Sequence, residues 1–357
     1  MNQKTSYETL LPYGWTQTNT IDFLPYAEQG LLPARIIQQA HHYFQAFQGD
    51  RTVLLERSGT FSNLQDLGVQ PSPVVGDWCA ISPYSATRAL LAGVLPRTTT
   101  FSRPVLHEQG AVEGSAEVVA ANVDQAAIIM DAYHDFNMHR IERFVALLAA
   151  QSIPSMLVLT KTDLLEDPLF YRVQISARLA DLPVFLVDSL SLSGIEQLLH
   201  RFVPGSTTML LGASGAGKST LVNALMGYSV AKTAMVRPQD GRGRHTTTSR
   251  ALHLLPNEAL VLDTPGLRVV GMNGGVQAVE DSFSDIADLA RSCHFSDCSH
   301  TGEKGCAVQK ALQQGNLEQD RYLQFLRLRE EASKWENHER REKERGRLLY
   351  LYRREGR

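Results

Sequence analysis

One stretch, Gly212-Ala213-Ser214-Gly215-Ala216-Gly217-Lys218-Ser219, constrains this chain more than any other. It fits the pattern Gly-x4-Gly-Lys-Ser/Thr, in which glycines let the backbone curl until successive N–H groups point at phosphate oxygens. Such a loop joins a buried strand to the start of a helix. The flanks read that way: 207–211 is a short apolar run of strand length, and 218–226 reads as a helix. Lys218 is then placed to reach the outer phosphates and Ser219 to ligate Mg²⁺, with Thr220 beside them in the first helical turn.

A second motif reads the base. Thr160-Lys161-Thr162-Asp163 follows the apolar run Met156-Leu157-Val158-Leu159, which suits a buried parallel strand. Ligands of such sheets sit at the strands' carboxyl ends. A carboxylate at Asp163 accepts from both the ring N–H and the exocyclic amine of guanine, whereas adenine presents an acceptor where a donor is needed. The pair of motifs therefore predicts GTP and GDP as ligands. Their order is unusual, because the base-reading tetrapeptide precedes the phosphate loop. That order is the mark of a circularly permuted GTPase domain.

Two further segments complete the set. The strand-like run Ala259-Leu260-Val261-Leu262 leads into Asp263-Thr264-Pro265-Gly266, where the aspartate can hold Mg²⁺ through water and Gly266 can donate its N–H to the γ phosphate. Gly241-Arg242-Gly243-Arg244-His245-Thr246-Thr247-Thr248 lies between the phosphate loop and this strand, where a first switch belongs. Thr246 or Thr247 supplies the second metal-binding hydroxyl. Asp188-Ser189-Leu190, after a strand expected at 183–187, stands where this class has Ser-Ala, and Ser189 is read as a second contact to the base.

Three of the four cysteines crowd into Cys293-x4-Cys298-x-His300-x5-Cys306. Three thiolates and an imidazole make a closed tetrahedral set suited to a structural Zn²⁺. Disulfides are the competing reading, and an odd cluster of three in a reducing compartment argues against them. Cys79 reads as a small buried apolar side chain.

The motif order, the Gly-Arg-His-Thr-Thr-Thr run and the cysteine cluster together resemble the RsgA (YjeQ/YloQ) family of small ribosomal subunit biogenesis GTPases, over nearly the whole chain after about residue 50. The resemblance implies a multidomain protein: an N-terminal β-barrel of the OB-fold type, a central α/β circularly permuted P-loop GTPase domain, and a C-terminal mainly helical zinc-binding domain. It also implies late small-subunit assembly, rRNA binding and hydrolysis stimulated by the small ribosomal subunit. It places the fourth zinc ligand at His300 and leaves His294 as a surface residue. Many GTPases carry a water-orienting glutamine after Asp-x-x-Gly; here that residue is Leu267. The resemblance puts a histidine at 245, so His245 is the candidate catalytic residue that positions the water.

Along the chain, residues 1–48 are expected as a helical extension, with a helix running from Ala34 through Phe44 and Phe47. Short strand-like runs broken by glycine, proline and serine give the barrel at 49–106. Residues 97–104 read as a linker. Alternating strands and helices, including 117–121, 126–130 and a helix presenting Ile141, Phe144, Val145 and Leu148, give the GTPase domain at 107–270. The zinc domain takes 271–357, with helices at 307–314 and 319–335. Because the chain passes from Gly266 directly into that domain, order at the γ phosphate is expected to reach it.

Composition excludes little more. Net charge is -3, so any RNA contact comes from local patches. The arginine-rich tail from Arg340 is one, with a solvated charged helix as the alternative. No apolar run approaches the roughly 20 residues that span a bilayer, and the first residues lack a signal-peptide pattern. A cytoplasmic monomer without membrane contact is the expectation. The rivals are an assembly GTPase for a different subunit, a small-molecule kinase, and an RNA-binding module that only senses GTP.

Overall fold

The computed structural model describes residues 7–40, 43–106, 112–227, 250–264 and 275–355. A 3-10 turn at Tyr7–Tyr13 and helix α1 at Gln17–Ala27 come first. Thr16 and Asn19 close α1 with a reciprocal capping box, which satisfies two otherwise orphaned N–H groups.

Five strands follow: β1 (Leu32–Ala40), β2 (Tyr43–Phe47), β3 (Thr52–Arg57), β4 (Trp78–Pro83) and β5 (Arg88–Val94), with α2 at Gly59–Asp66 between β3 and β4. They pair in the cycle β1-β2-β3-β5-β4, and β4 returns to β1, so the barrel closes. The helix expected over residues 34–47 is therefore two barrel strands. In β1 the residues from Pro33 to Ile36 are all buried, and its pairing with β2 slips between Ile36 and Gln38. A strand covered on both faces and bulged in the middle shows no two-residue alternation, which left its apolar spacing looking helical.

The expected linker is also partly strand. β6 (Thr100–Leu106) and β7 (Val112–Ala121) form a separate antiparallel ribbon, which takes residues 117–121 out of the parallel sheet. Pro104 is tolerated because a two-stranded ribbon is all edge.

The central sheet runs β10-β9-β8-β11-β13-β12, from β8 (Gln125–Asp131), β9 (Ser155–Thr160), β10 (Val184–Leu186), β11 (Thr207–Leu211), β12 (Arg250–Leu254) and β13 (Leu260–Asp263). All pairs are parallel except β12 with β13. The sequence reading did not anticipate β12, whose outer edge pairs with β1 and joins barrel and sheet into one eleven-stranded surface. Helices α3 (Met138–Ala149), α4 (Pro168–Arg178), α5 (Ile195–Leu199) and α6 (Lys218–Leu225) supply the crossovers. Along α3 Ile141, Phe144 and Leu148 are buried as expected, and Val145 is partly so.

The C-terminal part is helical: α7 (Val276–Ser282), α8 (Ser284–Ala290), α9 (Ala307–Gln313) and α10 (Gln319–Glu355). The last helix continues twenty residues past the expected end at 335. Phe283, Phe325 and Leu328 share one core with Phe144 and Leu148 of α3. Arg321 spans this junction, bonding Asp285 through two nitrogens and Glu142 through the third, each at 2.6 Å. Among the described residues no helix is long and apolar enough to cross a membrane.

Candidate nucleotide site and metal cluster

The carboxyl ends of β8, β9, β11 and β13 carry the sequence motifs to one edge of the sheet. The phosphate loop leaves β11 at Gly212, where any Cβ would lie 2.4 Å from the carbonyl oxygen of Ile129 in β8. Only glycine permits that approach. Gly217 turns into α6 with φ 90. Lys218 is buried, and its Nζ donates to the carbonyls of Gly212 at 2.8 Å and Ala213 at 2.9 Å. Ser214, Gly215 and Ala216 complete the turn, and Ser219 and Thr220 open α6.

Asp263 ends β13 with Oδ1 buried and without a hydrogen-bond partner. Burial pushes its carboxyl up, against the pull of Lys218 and His253, while burial pushes the Lys218 ammonium down against the pull of Asp263. A buried carboxylate oxygen without a hydrogen-bond partner, near a buried lysine whose Nζ donates to two neutral carbonyls, fits a phosphate chain with its Mg²⁺: the cation would meet the carboxylate and the phosphate the ammonium. Thr264 donates to the carbonyl of Leu210 at 2.6 Å and holds this strand end against the base of the phosphate loop.

The tetrapeptide Thr160-Lys161-Thr162-Asp163 bridges the end of β9 and the turn after it. Thr160 Oγ1 donates to the carbonyl of Ala216 at 2.8 Å and lies 3.2 Å from that of Met130. Lys161 adopts left-handed backbone, φ 57, and caps the short turn Thr162–Leu164 that exposes Asp163. Ser189 Oγ is buried and unpartnered beside this edge of the fold, in a loop fixed by Asp188, which accepts from the N–H groups of Leu190 and Ser191. Asp131, the last residue of β8 and not singled out by the sequence, accepts from Lys161 Nζ at 2.6 Å beside this turn. His245, Thr246, Thr247 and Gly266 lie outside the described residues.

Cys293, Cys298, His300 and Cys306 bring one ligand atom each within 4.8 Å of all the others. His300 Nδ1 lies 3.6 Å from the sulfurs of Cys293 and Cys306, which are 3.9 Å apart. Tetrahedral Zn²⁺ with bonds of about 2.3 Å to sulfur and about 2.0 Å to nitrogen has ligand edges of roughly 3.5 to 3.8 Å, so the cluster fits. Burial and the neighbouring thiols push Cys298 up to about 12, a burden that a bound cation would reverse. Tyr322 Oη and Gln309 Nε2 both donate to the His300 carbonyl and steady its left-handed backbone. His294 is exposed and outside the cluster.

Comparison with known proteins agrees with this geometry. The family model described as RsgA GTPase matches residues 94–273. The small ribosomal subunit biogenesis GTPase RsgA 1 of Listeria monocytogenes is 41% identical over 271 residues, 76% of this chain and 75% of that protein. The RsgA protein of Streptomyces coelicolor is 38% identical over 331 residues, 91% of this chain and 87% of its own. Among solved structures, YjeQ from Thermotoga maritima superposes with a TM-score of 0.60 at 24% identity, covering 85% of this chain and 98% of that one. The circularly permuted GTPase YloQ gives 0.56 at 22% identity, covering 85% and 96%. The solved structures share this fold, the family model covers half of the chain, and with relatives this similar the chain belongs to the RsgA GTPase family.

Proposed function

We propose that this protein hydrolyses GTP to GDP and phosphate when it engages the small ribosomal subunit, late in that subunit's assembly. The observation that carries the reading is the convergence of the phosphate loop, the Thr160 to Asp163 turn and the orphaned Asp263 oxygen on one edge of a parallel sheet. The names of the relatives support the choice of subunit.

Within this proposal the N–H groups of 212–219 hold the phosphates, Lys218 neutralises their charge, and Ser219 with Asp263 holds Mg²⁺, which supplies charge stabilisation during phosphoryl transfer. Asp163 reads guanine and Ser189 adds a second contact. His245, with Thr246 or Thr247 and Gly266, enters on the sequence alone as the water-positioning group, the second metal hydroxyl and a γ-phosphate donor. Cys293, Cys298, His300 and Cys306 hold one structural Zn²⁺. The protein acts as a cytoplasmic monomer that touches rRNA through local basic patches.

Turnover of GTP by the full chain, alone and with purified small or large subunits, tests this reading, with Lys218→Ala as the inactive control. Stimulation by small subunits only is expected. Stimulation by large subunits only would move the protein to a different assembly step.

A further inference from the structure

β8 ends in Asp131, a carboxylate only 4% exposed that none of the sequence motifs includes. Its Oδ1 accepts from the backbone N–H groups of Tyr133 and His134, each at 3.0 Å. Its Oδ2 accepts from Lys161 Nζ at 2.6 Å and lies 3.0 Å from His134 Nδ1. A buried carboxylate needs such partners, but the identity of one of them is informative, because Lys161 is the second residue of the base-reading tetrapeptide.

Left-handed backbone is disfavoured for a residue with a Cβ and persists only where the surroundings over-determine it. Lys161 is held in that conformation from two sides. Behind it, the Thr160 hydroxyl is tied to the carbonyls of Met130 and Ala216. Ahead, its own ammonium is tied to Asp131. The ammonium tether and the longer hydroxyl contact end on consecutive residues, Asp131 and Met130, at the tip of β8, so the turn that exposes Asp163 leans on a strand the motif does not belong to.

We propose that Asp131 is a positioning residue of the nucleotide site, holding the Lys161 ammonium so that the following turn presents Asp163 to the guanine base. It touches no nucleotide itself and acts through Lys161. The inference rests on the reading of Thr160 to Asp163 as the guanine contact.

The test uses the full chain and measures affinity for fluorescent GDP together with GTP turnover, for Asp131→Asn, Lys161→Met, the double variant and Asp163→Ala. Asparagine keeps an oxygen for the two backbone N–H groups and removes the charge that Lys161 sees. Asp131→Asn is expected to raise Kd for GDP and KM for GTP about tenfold, while kcat at saturation changes less than twofold. In the Lys161→Met background the same substitution should add less than a further twofold loss. Full additivity in the double variant would mean that Asp131 only anchors its own loop, and would overturn the proposal. Should Asp131→Asn fail to fold, Lys161→Met carries the test, with a similar loss expected and unchanged affinity overturning it. Loss at Asp163→Ala with none at Asp131→Asn removes the proposal alone. Unchanged GDP affinity in Asp163→Ala removes the guanine reading beneath it as well.

Discussion

The hydroxyl of Thr160 donates to the carbonyl of Ala216 at 2.8 Å, joining the end of β9 to the glycine-rich loop after β11 across 56 residues of chain. The permuted order separates these motifs from their usual sequence, yet the fold ties them by a direct bond. Thr160→Val preserves shape and removes the donor, leaving a buried carbonyl unsatisfied. A destabilisation of about 1 to 3 kcal/mol is expected in urea unfolding, with weaker GDP binding measured in parallel. Unchanged values for both would show that the bond carries no weight.

Zinc is expected at one ion per chain, and Cys298→Ser should abolish it. Cys306 and Val308 lie in the same core as Phe144 and Leu148 of the nucleotide domain. Loss of metal should therefore lower the thermal midpoint of the whole protein, at about 2 to 4 °C per kcal/mol for domains of this size. Metal analysis of purified protein, paired with a melting curve, checks both halves.

Glu142 is fully buried and meets Arg321, itself 4% exposed, at 2.6 Å. Removing one member of a buried pair that has no other partner costs about 3 to 5 kcal/mol, and because Arg321 keeps Asp285 the loss here should fall below that range. Glu142→Ala should show that loss in denaturant titration, and limited proteolysis should then cut between the nucleotide and C-terminal parts. A variant as stable and as resistant as the parent would mean that the apolar core alone joins them.

Burial opposes the charge on Asp131, but Lys161, His134 and two backbone N–H groups outweigh it and bring its pKa from 3.8 to about 2. A carboxylate depressed in the folded state contributes stability that is complete above its unfolded value and disappears as pH falls through its folded value. The share of the stability difference between parent and Asp131→Asn that the carboxylate carries should be complete above about pH 5 and shrink between about pH 4 and 2. Urea midpoints across that range provide the measurement.

The chemistry-bearing motifs were legible because each is a contiguous run whose residue types follow from the ligand. Gly212 to Ser219, Asp163 and Asp263 lie just at or after the carboxyl ends of sheet strands, and the three cysteines with His300 lie within 4.8 Å of one another. Elements shaped by pairing were not. β1 is buried from Pro33 to Ile36 with a slip after Ile36, which erases alternation. The ribbon strand β6 looked like a linker because threonines, arginines and Pro104 suit a loop as well as an edge. Asp131 lay hidden because its meaning depends on Lys161, thirty residues further on.

Asp163→Asn tests guanine reading most directly. Xanthine carries an oxygen where guanine carries the exocyclic amine, and an asparagine amide donates to that oxygen where a carboxylate cannot. With both nucleotides measured on both proteins, the substitution should lose at least tenfold in GDP affinity and gain affinity for the xanthosine diphosphate. An Asp163→Asn protein that still prefers GDP as strongly as the parent would contradict the assignment of Thr160 to Asp163 as the base-reading turn.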